Sequence, residues 1–202
     1  MRKYLIYILV VFCWCTASYS KDLFEYLKSD QPPPLIIGHT DFDKALNDHL
    51  SDLNLYLGMS KDKKPINETF YWLLVNGSAS HDEISVNNKN YFIVSGCRPQ
   101  SCPEKGFLWI DKKKKIVLGA MIHYFIDSRD NRNRDGNLLI FSNKFTSYKK
   151  VPKKFKEDVN NWISILTSWD FENNNPDKPL RPTVTRFVNL NNQIKKINNY
   201  LK

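Results

Sequence analysis

Between residues 91 and 141, short apolar segments alternate with polar connections, and this spacing limits the folds open to the chain. Apolar residues, many of them aromatic or β-branched, dominate Tyr91–Val94, Phe107–Ile110, Ile116–Ile126 and Asn137–Phe141. Such composition is typical of β-strands. The connections are short, whereas parallel strands need long crossovers. The sequence therefore predicts an antiparallel meander in this region.

Two segments outside this region repeat apolar residues with the period of an α-helix. The first begins at Thr40, a residue type that caps helix N-termini, and the second at Pro152, which suits a first turn. On the first helix we expect His49 to be a half-buried packing residue. The two apolar faces are Phe42, Ala45, Leu46, His49, Leu50 and Leu53, and then Phe155, Val159, Trp162, Ile163 and Leu166.

The remaining segments complete the predicted architecture. Phe70–Val75 is predicted to be a strand that enters the sheet, Glu83–Val86 a weaker strand, and Val188–Leu201 a last short helix. The expected fold class is α+β, with a single antiparallel β-sheet of about five strands, helices packed on one face and a disulfide-closed protruding loop.

The N-terminus has the three parts of a secretory signal peptide. Arg2 and Lys3 are basic, Tyr4–Trp14 is apolar, and small residues precede Lys21. The apolar run is shorter than the roughly 20 residues that span a bilayer. We therefore expect a signal peptide over residues 1–20, a periplasmic or secreted location and no stable membrane insertion.

The rest of the chain divides into three predicted parts. Residues 21–39 form a lead-in segment with a stiff, polyproline-like stretch at Gln31–Pro34. An α+β domain follows over residues 40–145. Residues 146–202 are expected to be a helical C-terminal elaboration that packs on this domain.

Export decides how the cysteines are interpreted. Cys13 and Cys15 leave with the signal peptide, so that Cys97 and Cys102 remain. In an oxidising compartment, two cysteines this close in sequence are expected to pair. Half of a zinc site is the less favoured alternative, because no other cysteine of the mature chain, and no histidine, lies near the pair.

The ring closed by this disulfide is the best candidate for a functional site. Pro99 restricts the backbone from inside the ring and the disulfide restricts it from outside, so that the loop would lose little entropy on binding. Protease and glycosidase inhibitors commonly insert such a rigid loop into a cleft. A hairpin closed by a disulfide without a partner is the alternative. The ring consists of Cys97, Arg98, Pro99, Gln100, Ser101 and Cys102.

The chain is basic. Arg2 and Lys3 leave with the signal peptide, so 30 basic residues become 28 against 21 acidic ones, a net charge of +7. Such a charge can indicate an anionic partner, such as a lipid surface or a wall polymer. A lysine-rich composition that keeps the protein soluble is the favoured interpretation. No RNA-binding or helix-turn-helix signature accompanies the lysines, and nucleic acid is not expected as a partner.

No pattern of catalytic residues is evident. The chain lacks the nucleophile, metalloprotease and phosphate-loop motifs, and its four histidines are scattered. Residues 127–136 resemble a calcium loop only weakly, because their spacing differs from the helix-loop-helix pattern. We therefore expect neither an enzyme nor a cofactor or metal site. An unrecognised hydrolase is the third alternative, but the sequence offers no set of catalytic residues that supports it.

The residues around the two cysteines resemble the Ivy family, the inhibitors of vertebrate lysozyme. In that family a strand leads into Cys-Lys-Pro-His-Asp-Cys, and another strand follows. Here Tyr91–Gly96 leads into the sequence Cys-Arg-Pro-Gln-Ser-Cys, and Trp109 follows on the next predicted strand. Trp72 also looks alignable, on the strand that enters the sheet. The resemblance covers residues 40–145.

The resemblance implies an exported inhibitor that inserts the 97–102 loop into the cleft of a lysozyme-type muramidase. The family's loop places a histidine between the catalytic carboxylates, where Gln100 offers a neutral hydrogen bond of roughly half the strength of a charge-assisted one. Ser101 replaces an aspartate, and Arg98 keeps the positive position.

The departures at Gln100 and Ser101 widen the range of expected targets. The expected partner is a lysozyme or a lytic transglycosylase, and a homodimer is left open. The alternative function is a basic cell-envelope-binding module in which the 97–102 loop is purely structural.

Overall fold

A computed structural model describes residues 21–57, 61–76, 84–98, 101–123, 136–172, 182 and 184–197, without the side chains of residues 101–103 and 165–172. The predicted signal peptide and almost all of the calcium-like segment lie outside the described residues. So do residues 173–181 of the polar, proline-rich segment Glu172–Pro182.

The chain forms an α+β fold around one large sheet. In chain order the elements are α1 (Leu23–Tyr26), α2 (Pro33–Ile37), α3 (Phe42–Asn47), β1 (Asn54–Tyr56), β2 (Lys63–Pro65), α4 (Ile66–Asn76), β3 (Ser85–Asn87), β4 (Tyr91–Arg98), β5 (Ser101–Asp111), β6 (Ile116–His123), β7 (Asn137–Phe141), a 3-10 helix (Tyr148–Lys150), α5 (Lys153–Glu172), β8 (Val184–Val188) and β9 (Ile194–Ile197). Strands β1 and β2 form a separate ribbon, and β3 to β9 form a seven-stranded sheet in chain order.

The sheet is larger than predicted, and it is mixed rather than antiparallel. The meander from β3 to β7 is antiparallel as expected. Strand β8 then adds to β7 in parallel, because the 20-residue helix α5 provides the crossover that a parallel connection needs. The last short helix predicted over residues 188–201 is wrong, since its described residues include the end of β8 and the whole of β9.

Helices cover both faces of the sheet, so the prediction of helices on one face is wrong. One face packs against α1 to α4 in a first core that contains Phe92, Leu108 and Met121. The other face packs against α5 in a second core, where Trp162 stacks on Phe107 with ring centroids 5.2 Å apart. Every residue of β6 and β7 is buried, as expected for strands that are covered on both sides.

The apolar run Phe70–Val75 lies in helix α4 and not in a strand. Periodicity alone does not separate a short buried strand from a buried helix. The helix covers the first core through Ile66, Phe70, Leu73 and Leu74, which recur at helical spacing. Trp72 points away from this core and is exposed, so its predicted position on a strand is wrong.

The segment before residue 40 is folded against the sheet. Leu23 and Leu27 from the α1 region, with Ile36 and Ile37 of α2, belong to the first core. Within the predicted polyproline-like stretch, Pro32 precedes the helix and has dihedral angles of that kind, φ −56° and ψ 142°. Helix α2 begins at Pro33, because the first turn of a helix tolerates a residue without an amide hydrogen.

Helix α3 is shorter than predicted. It begins at Phe42, with Asp41 rather than Thr40 at the N-cap position, and it ends at Asn47. His49 therefore follows the helix, but it still packs as expected. Its ring meets the ring of Phe24 edge-on, with centroids 5.4 Å apart, and burial lowers the pKa of His49 below the usual 6.5, while Asp22 and Asp48 oppose the shift.

The lowered pKa of His49 makes the stability of the fold depend on pH. The unfolded state binds the proton more readily, so the contribution of neutral His49 is present above the unfolded pKa and is lost as the pH falls through the folded pKa. We expect His49→Gln to flatten the decline of the unfolding free energy between about pH 7 and pH 5. Urea denaturation at both pH values tests this, and parallel declines in the two proteins would contradict it.

Candidate functional site at the tip of the β4–β5 hairpin

The predicted cysteine loop is mostly strand. Strands β4 and β5 pair from Tyr91 opposite Asp111 to Cys97 opposite Lys105, and Gly96 pairs with Gly106. The prediction of a protruding loop at Cys97–Cys102 is therefore wrong, because β4 continues to Arg98 and β5 begins at Ser101. Only residues 99 and 100 separate the strands, and these lie outside the described residues. The candidate site is a tight hairpin tip.

A bulge interrupts the ladder just below the tip. Cys97 is opposite Lys105, whereas the next residue, Arg98, is opposite Ser101. Residues 102–104 therefore bulge out of β5, as residues near functional sites often do. Cys97 is buried and disulfide-bonded. The side chain of Cys102 lies outside the described part of the chain, so the pairing of these two cysteines stays a prediction.

The bulge brings a buried carboxylate beneath the tip. Glu104 Oε2 accepts a hydrogen bond from Arg98 Nη1 at 2.6 Å. The Glu104 side chain is 5% exposed, whereas that of Arg98 is 43% exposed. A buried charge of this kind is tolerated when it is paired. Glu104 therefore acts as the buried anchor of a cation that reaches the surface.

The ion pair is the start of a row of polar side chains that crosses the sheet, which we call the polar row. Glu104 Oε1 lies 3.7 Å from Nε2 of His123 on β6. His123 is opposite Asn137 on β7, and Asn137 Oδ1 accepts a hydrogen bond from Arg186 of β8. The polar row thus contains one side chain from each of five neighbouring strands: Arg98, Glu104, His123, Asn137 and Arg186.

The polar row continues the first core toward the tip. His123 lies two residues after Met121, Asn137 two residues before Leu139, and Arg186 two residues before Val188. Met121, Leu139 and Val188 all belong to the first core. Because strand side chains alternate between faces, the row points to the same side of the sheet as helix α4.

The arrangement can present a fixed cation to a partner. A guanidinium group has five N–H donors in a planar fork, and Glu104 engages one of its nitrogen atoms. The exposed part of Arg98 can therefore reach an acceptor outside the molecule while the buried part stays anchored. Carboxylates and phosphates are the acceptors that this geometry suits best.

The structure describes the predicted site residues unequally. The side chains of Cys97 and Arg98 are described, Ser101 and Cys102 are described only as strand backbone, and Pro99 and Gln100 are not described. Sequence reasoning missed the other four members of the polar row. The available signal was a polar residue at the end of an apolar strand, as at His123 after Ile122.

Other kinds of site receive no support within the described residues. They contain no group of three or more histidine, cysteine, aspartate or glutamate side chains that could hold a metal ion. No helix in the same part of the chain is long and apolar enough to cross a membrane.

Comparison with known proteins gives no relative. No protein-family model matches the chain, and no curated protein and no solved structure matches it significantly. The resemblance to the Ivy family therefore rests on the residues that carry it, Cys97 to Cys102 and the strands on either side.

Proposed function

We propose that this protein is a secreted or periplasmic inhibitor of lysozyme-type muramidases that inserts the hairpin tip, residues 97–102, into the enzyme's active-site cleft. The observation that carries the proposal is the pair between Arg98 and buried Glu104, at 2.6 Å. This pair fixes a half-exposed cation at the end of the hairpin. A cleft that contains catalytic carboxylates is a complementary partner.

The chemistry of the target supports this choice. Glycoside hydrolases of this kind use two carboxyl groups that flank the scissile bond. In the proposed complex, Arg98 and Gln100 donate hydrogen bonds to cleft carboxylates, and Ser101 offers a small hydroxyl group at the edge. Pro99 and a disulfide between Cys97 and Cys102 hold the shape of the tip.

Order in the free protein supports tight binding. Immobilising a flexible side chain costs about 0.5–1.5 kcal/mol on association. Arg98 is already held by Glu104, and the tip is attached to two strands that pair over most of their length. The conformational entropy of these residues would then already be lost on folding, and little more would be lost on binding.

The first experiment is lysis of cell walls by several lysozyme classes and by a lytic transglycosylase, with and without the protein. We expect Gln100→Ala to raise the inhibition constant about 10- to 100-fold, because a hydrogen bond to a charged group is lost. Gln31→Ala changes an exposed glutamine outside the tip and should leave inhibition unchanged. Failure of the wild-type protein to inhibit any of these enzymes at micromolar concentration would refute the proposal.

The same assay separates inhibition from the alternative, a basic envelope-binding module with a structural loop. Reduction of the disulfide should abolish inhibition by the tip. Binding by a basic surface should instead fall steeply with salt and ignore reduction, since salt screens exposed charges over about 10 Å at 0.1 M.

A further inference from the structure

The end of the sheet opposite the hairpin tip has a distinct surface. Strand β5 contains 11 residues, so its two ends lie roughly 33 Å apart at about 3.3 Å per residue. The tip lies at one end, and the turn of Lys112–Lys115 lies at the other. The two surfaces therefore face opposite directions.

Lysines from three parts of the chain meet at this turn. Lys144 Nζ donates to the carbonyl oxygen of Lys115 at 3.0 Å. Helix α5 begins beside the same end of β5, because Trp109 Nε1 donates to Asp158 Oδ2 at 2.9 Å. We call the resulting group the lysine end. It contains Lys112, Lys113, Lys114, Lys115, Lys144, Lys149, Lys150, Lys153, Lys154 and Lys156.

Cations outnumber carboxylates at the lysine end. All of its lysines are exposed except Lys112 and Lys156, which are half-buried. Three of the ten pair with carboxylates: Lys114 with Asp111, Lys153 with Glu157 and Lys154 with Asp158. The carboxylates of Asp22, Asp30 and Asp48 lie close enough to affect neighbouring groups. Asp52 accepts a hydrogen bond from Asn192 in the neighbouring turn between β8 and β9. Among the described residues, seven carboxylates thus face ten lysines, which leaves a positive surface.

Exposed aliphatic side chains lie beside these lysines. Strand β8 is parallel to β7, so the turn between β8 and β9 reaches the same end of the sheet. Leu190 N donates to the carbonyl oxygen of Phe145 at 3.0 Å, next to Lys144. Leu190 and Ile194 are each 40% exposed. Basic residues beside exposed apolar residues are typical of surfaces that bind at a membrane interface.

We propose that the lysine end binds the surface of an anionic lipid bilayer. The lysines complement the lipid phosphates, and Leu190 and Ile194 enter the boundary between headgroups and acyl chains. The apolar contribution favours a bilayer over a soluble polyanion, which offers no apolar phase. A protein bound in this way directs its hairpin tip away from the membrane. The proposal does not depend on what the tip binds.

Vesicle co-sedimentation of the full protein tests the charge contribution. We expect binding to vesicles of phosphatidylglycerol and phosphatidylcholine, weaker binding at high salt, and little binding to phosphatidylcholine alone. Lys149→Gln with Lys150→Gln should lower the partition coefficient about 30-fold. The control is Lys63→Gln with Lys64→Gln, which removes two adjacent exposed lysines from β2 of the separate ribbon and should have a smaller effect. Equal losses in the two double variants would overturn the proposed surface.

A second pair of variants tests how much the exposed aliphatic side chains contribute to vesicle binding. Leu190→Ser should lower partitioning about fivefold, since part of an apolar side chain no longer leaves water. Leu35→Ser changes a leucine that is more exposed but does not belong to the lysine end, and it should leave partitioning unchanged. Binding to polyphosphate without binding to anionic vesicles would overturn the choice of a bilayer. Inhibition by the tip is measured separately and should be unaffected by Lys149→Gln with Lys150→Gln, so either proposal can fail alone.

Discussion

Gly96→Ala is expected to lower the free energy of unfolding by about 3 kcal/mol, because the new methyl group has no room. A Cβ atom at Gly96 would lie 2.5 Å from the carbonyl oxygen of Leu73 and 2.9 Å from that of Leu74. Both are backbone atoms of α4 and cannot rotate away. The helix would have to move away from strand β4.

Gly136→Ala is the matched control for this substitution. A Cβ atom there would meet Ile122 Cγ2 at 3.6 Å, which is an ordinary van der Waals contact. Its effect should be near zero or slightly stabilising, since alanine restricts the unfolded chain. Urea denaturation followed by circular dichroism compares the two variants. Similar unfolding free energies for both would show that α4 does not pack as closely on β4 as the structure indicates.

Arg98→Ala is expected to cost about 2 kcal/mol of stability, mainly because it leaves the Glu104 carboxylate buried without its cation. Glu104→Gln in the same background removes that charge and should recover part of the loss. The exposed half of Arg98 is screened by water, so the cost is smaller than for a fully buried pair. A double-mutant cycle by urea denaturation measures the coupling between the two side chains.

The same cycle has a functional readout. Glu104 is buried beneath the tip, so any effect of Glu104→Gln on inhibition would act through the position of Arg98. We expect Glu104→Gln to weaken inhibition when Arg98 is present and to have little further effect when Arg98 is alanine. Additive effects on both stability and inhibition would show that Glu104 does not position Arg98.

These two predictions concern the same end of one hairpin. Gly96 allows α4 to lie against β4 two residues before Arg98, and Glu104 holds Arg98 at the tip. Behind them the strands pair from Tyr91 opposite Asp111 to Cys97 opposite Lys105. A cation attached in this way is held by the core of the protein and not by a flexible loop, which is what insertion into a cleft requires.

Local patterns predicted the middle of the sheet well. The segments that begin at Tyr91, Phe107, Ile116 and Asn137 all form strands, and Lys112–Lys115 forms the expected turn. The helix after Pro152 is also confirmed, with Phe155, Val159, Trp162 and Ile163 buried along one face. These elements were predictable because each carries a period or a turn composition within its own residues.

Three features depended on contacts between distant segments. Helix α4 was mistaken for a strand, because its apolar run is compatible with a strand and with a helix. Only packing against the first core selects the helix. Strand β8 pairs with the free edge of β7, and β9 pairs with β8. Both depend on helix α5, because it is the crossover that brings the chain back to that edge. The polar row collects residues from five strands, and no local pattern relates Glu104 to Arg186.

The sequence by itself determined the hairpin, the central meander, helix α5 and the lysine-rich turn, because hydrophobic period and turn chemistry act over a few residues. Only the tertiary structure decided that helices cover both faces, that the sheet has seven strands, and that Glu104 anchors Arg98. Burial and strand register set these features, and both arise when segments far apart in the chain compete for the same apolar surface and the same backbone hydrogen bonds.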